Sequence, residues 1–170
     1  MDLMVDIETL GTKPTSVILS IGAVLFDEKC NIQEEFYRNI SITENYKNEF
    51  TVDLSTIEFW KKQPQHIIDS LKSDKRPINE VLNDFSDFCP KDKHSRFWSR
   101  GSFDAIILAN AYNVIKRDVP WIWWNEMDLR TLTNFFNIKK PKNENAHNAL
   151  ADCRAQVEHL KIILDMLGVV

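Results

Sequence analysis

Three strand-like segments follow one another at the start of the chain, and this run limits the folds that are open to it. The first segment is short and apolar, the second is long and rich in β-branched residues, and the third alternates between apolar and polar residues. The segments are "DLMVDIE" (2–8), "SVILSIGAVLFD" (16–27) and "IQEEFYRNI" (32–40). The sequence therefore predicts an N-terminal meander of three strands joined by hairpins, followed by an irregular loop over 41–53.

The remaining chain has the pattern of helices separated by short strands. Ser55 and Glu58 have the spacing of a capping box at the first helix, Pro77 opens a later one, and Ser102 is placed to cap another. Short strands are predicted over 95–100 and before residue 128, and helices over 55–64, 65–73, 77–89, 103–117, 128–137 and about Ala146 to Leu167. Strands first and alternating elements afterwards indicate an α/β domain with a mixed sheet.

Composition narrows the class of protein. The 170 residues fit one domain, 1–170, and a hydrophobic content of 44% with 27% charged residues is that of an ordinary globular protein. No apolar run approaches the roughly 20 residues of a membrane span, and the N-terminus lacks the layout of a signal peptide. Three cysteines without a CxxC pair suggest neither a disulfide framework nor a zinc site. We expect a cytoplasmic protein without a membrane partner.

Two carboxylates stand in an unusual setting. Asp6 and Glu8 lie two residues apart inside the apolar stretch "MVDIETLG", so in a strand both would project from the same face. A charge in such a place costs several kcal/mol unless it is paired. Asp104, in the first turn of a predicted helix, and Asp152, in the last helix, complete a set of four. Each alone has an ordinary explanation, such as the helix dipole for Asp104.

Four carboxylates that converge would repel one another unless divalent cations neutralise them. Oxygen ligands without a Cys or His cluster favour Mg²⁺ or Mn²⁺ over zinc. His147 lies five residues before Asp152 in "HNALAD". Five residues correspond to a rotation of about 140° in a regular helix, so the two side chains could not share one face. We therefore expect His147 on the loop or first turn that enters the last helix.

The motifs "DIET", "SFDAIIL" and "HNALAD" together resemble the three exonuclease motifs of the DEDDh branch of the DnaQ-like, or RNase T, superfamily. Their order and separations also fit this branch. The segments "STIEFWKKQ" and "MDLRTL" resemble those of phage DexA-type exonucleases and of related small bacterial 3′–5′ exoribonucleases. The resemblance implies one DEDDh domain with a ribonuclease H-like fold, in which helices flank a five-stranded mixed sheet and the active site lies at its edge.

The resemblance also implies an activity. It is a metal-dependent 3′–5′ exonuclease that acts on single-stranded or overhanging 3′ ends and releases nucleoside 5′-monophosphates. Two divalent ions, Mg²⁺ or Mn²⁺, would hold the phosphodiester, and His147 would accept a proton from the attacking water, since imidazole exchanges protons near neutral pH. The implied metal ligands are Asp6, Glu8, Asp104 and Asp152.

Contacts to the substrate follow from the same resemblance. Thr9 and Leu10 would lie along the terminal nucleotide, and Leu10 would wedge between the last bases. The remaining implied contacts are a base stacked on Trp60, a pocket wall at Gln63, and phosphate contacts by Arg100 and Arg130. Trp60 is equally typical of a protein core, and the lysine-rich segment 139–142 is typical of a solvated loop as well as of a phosphate-steering surface.

Two other functions fit the sequence, namely a ribonuclease H-like endonuclease and a non-catalytic nucleic-acid-binding module. The expected partner is a nucleic acid 3′ end, of DNA or RNA. The sequence leaves the oligomeric state open between a monomer and a homodimer, and the segment "PWIWW" (120–124) is the candidate interface of a homodimer. The net charge of −4 permits an enzyme that holds a short end, and argues against a broad basic surface.

Overall fold

The fold of the computed structural model, which describes residues 1–143 and 145–169, is built on one mixed sheet. The strands are β1 (Asp2–Thr9), β2 (Ile18–Phe26), β3 (Ile32–Ser41), β4 (Lys75–Pro77), β5 (Phe97–Ser99) and β6 (Glu126–Asp128). Their order across the sheet is β4-β3-β2-β1-β5-β6. The first three strands pair antiparallel, and the outer pairings β3–β4, β1–β5 and β5–β6 are parallel.

The predicted α/β class with a mixed sheet is confirmed, and the predicted count of five strands is corrected to six. The additional strand is β4, whose three residues pair with the end of β3. Its sequence, Lys-Arg-Pro, carries no period of its own, and Pro77 at its end also precedes the next helix. Only the neighbouring edge of β3 makes this short segment a strand, so local pattern could not reveal it.

Each predicted helix is present. The helices are α1 (Leu54–Trp60), α2 (Gln65–Ser70), α3 (Ile78–Phe88), α4 (Phe103–Val114), α5 (Leu129–Phe135) and α6 (Ala149–Met166). Two predicted caps are wrong. α1 begins after Asp53, which lies before the proposed Ser55 and accepts a hydrogen bond from the Thr12 N–H instead of capping the helix. Ser102 already has helical backbone angles, so its hydroxyl makes no capping bond.

Helix α6 begins at Ala149, three residues after the predicted start at Ala146. His147 has a φ of 69°, which interrupts any helix passing through it. Asn148 then caps the helix, and its side-chain oxygen accepts a hydrogen bond from the Ala151 N–H at 3.0 Å. The expectation that His147 lies on the segment entering the last helix is therefore confirmed.

Alternation along β1 divides the hydrophobic core into two layers. Leu3, Val5 and Ile7 belong to the core cluster that contains side chains of α3 and α4. Met4 belongs to the opposite cluster, which is built mainly from α6 and the start of α5. Because alternate residues share a face, Asp6 continues the row of Met4 toward α6. The apolar side of the strand secures the sheet, while the other side carries the carboxylates.

A glycine brings α6 onto the sheet. Gly22 pairs with Asp6 across β1 and β2, and a Cβ atom at Gly22 would lie 2.3 Å from the main-chain carbonyl carbon of Ala149. No side chain fits this space, so the first turn of α6 rests directly on β2. The close approach places Asp152, which the same turn carries, beside β1. None of the described helices combines the length and apolar character needed to cross a membrane.

Candidate active site

An open cavity of about 450 Å³ lies where β1 and β5 end and α4 and α6 begin. β1 and β5 are parallel, so their carboxyl ends meet at the same edge of the sheet. The lining residues are mainly charged or polar, and all five residues of the predicted catalytic set are among them. The lining residues are Asp6, Ile7, Glu8, Arg100, Phe103, Asp104, Arg130, Lys140, Ala146, His147, Asp152 and Gln156.

Three of the four predicted metal ligands converge in this cavity. One carboxylate oxygen each from Asp6, Glu8 and Asp152 lies within 4.8 Å of the other two. Asp6 and Glu8 share one face of β1, and Asp152 approaches from the first turn of α6. Glu8 and Asp152 are only 8% and 7% exposed. Three acidic side chains are thus concentrated at one place, and two of them are almost fully buried.

Asp104 lines the same cavity from the first turn of α4, which follows β5 directly. It is 5% exposed, and its Oδ1 accepts a hydrogen bond from the main-chain N–H of Ile7 at 3.1 Å. Asp104 lies outside the close group of three oxygens. Its negative charge nevertheless raises the pKa of Asp6. The bond to Ile7 attaches the start of α4 to β1 between the two other carboxylates.

Burial and mutual repulsion strongly affect protonation in the cluster. Burial, followed by the charges of Asp152 and Asp104, raises the pKa of Glu8 to about 8. Burial also raises the pKa of Asp104 to about 7, against the hydrogen bond from Ile7, which lowers it. Burial and the charges of the other three carboxylates raise the pKa of Asp6 well above its usual range. The cluster therefore requires positive charge to be fully ionised at neutral pH.

The donor set suits a hard divalent cation. Its ligands are carboxylate oxygens alone, which Mg²⁺ and Mn²⁺ prefer. Asp152 is also held in place: its Oδ2 accepts the main-chain N–H of His147 at 2.8 Å, and its Oδ1 accepts the side-chain amide of Asn143 at 3.1 Å. The ammonium of Lys140 lies 3.4 Å from the same Oδ1. The residues present therefore fit the implied metal.

His147 lies at the rim of the cavity, where its backbone is fixed by the bond to Asp152. Its ring meets Phe59 edge to face at a centroid distance of 5.0 Å, and Trp60 at 6.3 Å. A left-handed backbone and an aromatic neighbour therefore place the imidazole beside the carboxylates without including it in their cluster. This is a suitable position for a group that accepts a proton from a water molecule.

Arg100 and Arg130 bring positive charge to the lining of the cavity. Asp128 connects the segments that carry them, since its Oδ1 accepts the Gly101 N–H at 2.7 Å and the Arg130 N–H at 2.8 Å. Gly101 has a φ of 97°, and a Cβ there would lie 3.2 Å from the Arg130 guanidinium. Two cations beside an acidic cluster can bind phosphate oxygens.

The other residues predicted to contact the substrate lie outside the lining of the carboxylate cavity. Trp60 is 7% exposed, packs in a small core cluster beside Leu10, and donates its indole N–H to the Thr9 carbonyl at 2.8 Å. This burial does not support the predicted stacking of a base on Trp60, and favours its other reading as a core residue. Thr9, Leu10, Trp60 and Gln63 do not line the carboxylate cavity, and the Gln63 amide donates to the Phe59 carbonyl.

Comparison with known proteins agrees with this geometry. A family model described as the 3′–5′ exoribonuclease Rv2179c-like domain matches residues 1–164. The chain belongs to this family. It is thereby one of the 3′–5′ exonucleases, which are hydrolases of nucleic acid. The predicted resemblance to DnaQ-like exonucleases is confirmed.

Relatives with names or structures extend the comparison. The exodeoxyribonuclease of Enterobacteria phage T4 is 25% identical over 203 aligned positions, which cover 96% of this chain and 88% of that protein. Exonuclease I of E. coli in complex with a dT13 oligonucleotide has a TM-score of 0.73 at 17% identity, over 98% of this chain. The zinc-bound complex of that enzyme with single-stranded DNA has a TM-score of 0.72 at 18% identity, also over 98% of this chain. This chain spans only about 40% of the exonuclease I chains, so they show the fold alone.

Sequence reasoning missed several residues of this exonuclease site. Gln156, which lies four residues after Asp152, donates to Asp6, and its helical spacing from Asp152 was the available signal. Asn143 has no such signal, because it reaches Asp152 from an irregular segment. Lys140 was included only in a general lysine-rich loop, whereas its ammonium lies next to Asp152.

Proposed function

We propose that this member of the family is a metal-dependent 3′–5′ exonuclease that trims single-stranded or overhanging 3′ ends and releases nucleoside 5′-monophosphates. The observation that carries the proposal is the group of three carboxylate oxygens within 4.8 Å of one another, from the half-buried Asp6 and the buried Glu8 and Asp152. Asp6, Glu8 and Asp152 would hold the metal, and Asp104 would complete the ligand set. Two bound Mg²⁺ or Mn²⁺ ions would supply the charge that activates water and stabilises the leaving oxygen.

The chain's own residues would bind and orient the substrate around this cluster. Arg100 and Arg130 line one side of the cavity and would contact phosphate oxygens. His147, which also lines the cavity, would accept the proton of the attacking water at a ring nitrogen. Phe59 would limit where that imidazole can turn, because the two rings already meet edge to face. The partly buried Phe103 lines the same cavity and would exclude water from part of it.

The shape of the site and the relatives support the proposal of a single-stranded nucleic acid substrate. The cavity is open, and the four carboxylates that line it suit a single nucleic acid end better than a long duplex. The exonuclease I structures hold single-stranded DNA. The family is described as exoribonuclease and the phage relative as exodeoxyribonuclease, so both sugars enter the proposal. The expected location is the cytoplasm.

The first experiment is a time course on matched single-stranded DNA and RNA oligonucleotides labelled at the 5′ end. With Mg²⁺ or Mn²⁺ the expected result is a ladder that shortens one nucleotide at a time, with 5′-monophosphates as products. Excess chelator and an Asp6→Ala or Asp152→Ala variant should both remove the ladder while circular dichroism shows an intact fold. A near-native rate in Asp6→Ala would overturn the metal mechanism. The faster substrate identifies the preferred sugar.

Two further substrates separate this proposal from its alternatives. A circular single strand has no 3′ end, so its cleavage would instead identify an endonuclease. An oligonucleotide with a 3′-terminal block should resist degradation by an exonuclease. If the protein retains oligonucleotides in a filter-binding assay but shortens none of them with metal present, the non-catalytic binding module is the correct description.

Self-association through the segment 120–124 is a separate part of the proposal. Trp123 and Trp124 are 71% and 63% exposed and contact each other at a centroid distance of 5.3 Å. The ring of Trp121 instead stacks on that of Phe97 at a centroid distance of 4.3 Å, so Trp121 packs against the hydrophobic core. Exposed neighbouring indoles are typical of interfaces. Sedimentation of the wild type should show a dimer that Trp123→Ser with Trp124→Ser converts to a monomer, and an unchanged species would refute this interface.

A further inference from the structure

Gln156 lies at the boundary between α6 and the metal-ligand cluster. It follows Asp152 by four residues, so both side chains are on the helix face that covers β1. Gln156 is 2% exposed, which makes it one of the few fully enclosed polar side chains in the described chain. Burial of an amide is costly unless its donor and acceptor are both used.

Only the donor half of this amide is used. Its Nε2 donates to Asp6 Oδ1 at 2.7 Å, while its Oε1 is buried without a hydrogen-bond partner among the described residues. An apolar side chain of similar size would fill the same volume and would leave no unpaired oxygen. Packing alone therefore does not explain a glutamine here, whereas the bond to Asp6 does.

The bond gives the Asp6 carboxylate a defined orientation. An ionised carboxylate has two oxygens that only accept hydrogen bonds. The Gln156 amide occupies Oδ1, so Oδ2 remains for another partner. Asp152 and Asp104 have comparable supports, because main-chain N–H groups of His147 and Ile7 bind one oxygen of each. Asp152 has further side-chain partners in Asn143 and Lys140. Among the described residues, the support of the Asp6 carboxylate comes from the Gln156 side chain without a main-chain N–H, so a substitution of Gln156 removes this support.

We propose that Gln156 is a positioning residue that orients Asp6 for divalent-metal binding, an inference that rests on the metal site of the proposed function. Partners that orient metal ligands commonly contribute a factor of about 10 to 100 in metal affinity. The residue acts through Asp6 and does not contact the substrate in this role. Its effect should appear in metal binding before any nucleic acid is added.

The test compares Gln156→Met and Gln156→Leu with the wild type by calorimetric titration of Mn²⁺ and by thermal unfolding in EDTA. Both variants keep the buried volume, lose the bond to Asp6 and remove the unpaired oxygen. We expect the Mn²⁺ affinity to fall about 10- to 100-fold. The midpoint temperature of thermal unfolding in EDTA should be unchanged or higher. Glu158→Gln, at an exposed position of the same helix, is the matched control and should change neither quantity.

The outcomes separate the inference from the proposed function. A wild-type protein that binds no Mn²⁺ would refute the proposed metal site itself. Wild-type binding with an unchanged affinity in both Gln156 variants would overturn the positioning role. Lower affinity accompanied by a lower midpoint in EDTA would also overturn it, because a merely structural residue gives that pattern.

Discussion

Replacing Glu8 with glutamine should stabilise the metal-free protein, and the gain should depend on pH. Burial raises the pKa of Glu8 from 4.5 to about 8, so the folded state binds its proton more tightly than the unfolded state. The stability linked to this group is complete below about pH 4.5 and is lost as pH rises through 8. A neutral amide of the same shape does not undergo this loss.

The size of this change in the free energy of unfolding follows from the pKa shift of Glu8. One pKa unit corresponds to about 1.4 kcal/mol, so the rise from 4.5 to about 8 limits the total loss to about 5 kcal/mol. Structural relaxation and coupling to the neighbouring carboxylates reduce this figure. We expect Glu8→Gln to raise the free energy of unfolding by about 2–4 kcal/mol at pH 8, and by less than about 1 kcal/mol at pH 5.

Urea unfolding in EDTA, followed by tryptophan fluorescence at the two pH values, measures this difference. Glu28→Gln, at an exposed position, is the control and should change stability by less than about 0.5 kcal/mol. Saturating Mn²⁺ should stabilise the wild type and have a much smaller effect on Glu8→Gln. A variant that is less stable than the wild type at pH 8 in EDTA, or a difference that does not change with pH, would refute the reasoning.

Three other substitutions test separate parts of the structure. His147→Asn keeps the main-chain bond to Asp152 and suits the positive φ, so single-turnover kinetics should show a loss of about 100-fold or more while Mn²⁺ affinity is retained. Gly22→Ala should lower the unfolding free energy by about 3 kcal/mol in urea, because its Cβ would collide with the α6 backbone. Asp128→Ala should cost about 1–2 kcal/mol by losing the α5 cap, and steady-state assays should show a raised KM as Arg130 loses its anchor.

Local pattern was sufficient wherever a segment is governed by its own periodicity. The alternation in "DLMVDIE" predicted that Asp6 and Glu8 share a face, and both now lie in the cavity. Two of the failures occur where a distant segment decides. β4 exists only because β3 offers an edge. α1 begins before the predicted cap Ser55, directly after Asp53, whose carboxylate binds the Thr12 N–H. Such contacts join residues far apart in sequence, and no local spacing encodes them.

The buried carboxylates connect stability and function in a way that distinguishes site residues from scaffold residues. A scaffold residue such as Gly22 supports folding whether or not metal is bound, so its loss lowers stability in both states. Glu8 and Gln156 each introduce buried polarity that folding alone does not require, namely a repelled charge and an unpaired amide oxygen. Their replacement should weaken metal binding without lowering the stability of the metal-free protein. Opposite changes in these two quantities are therefore the signature expected of a residue kept for the site.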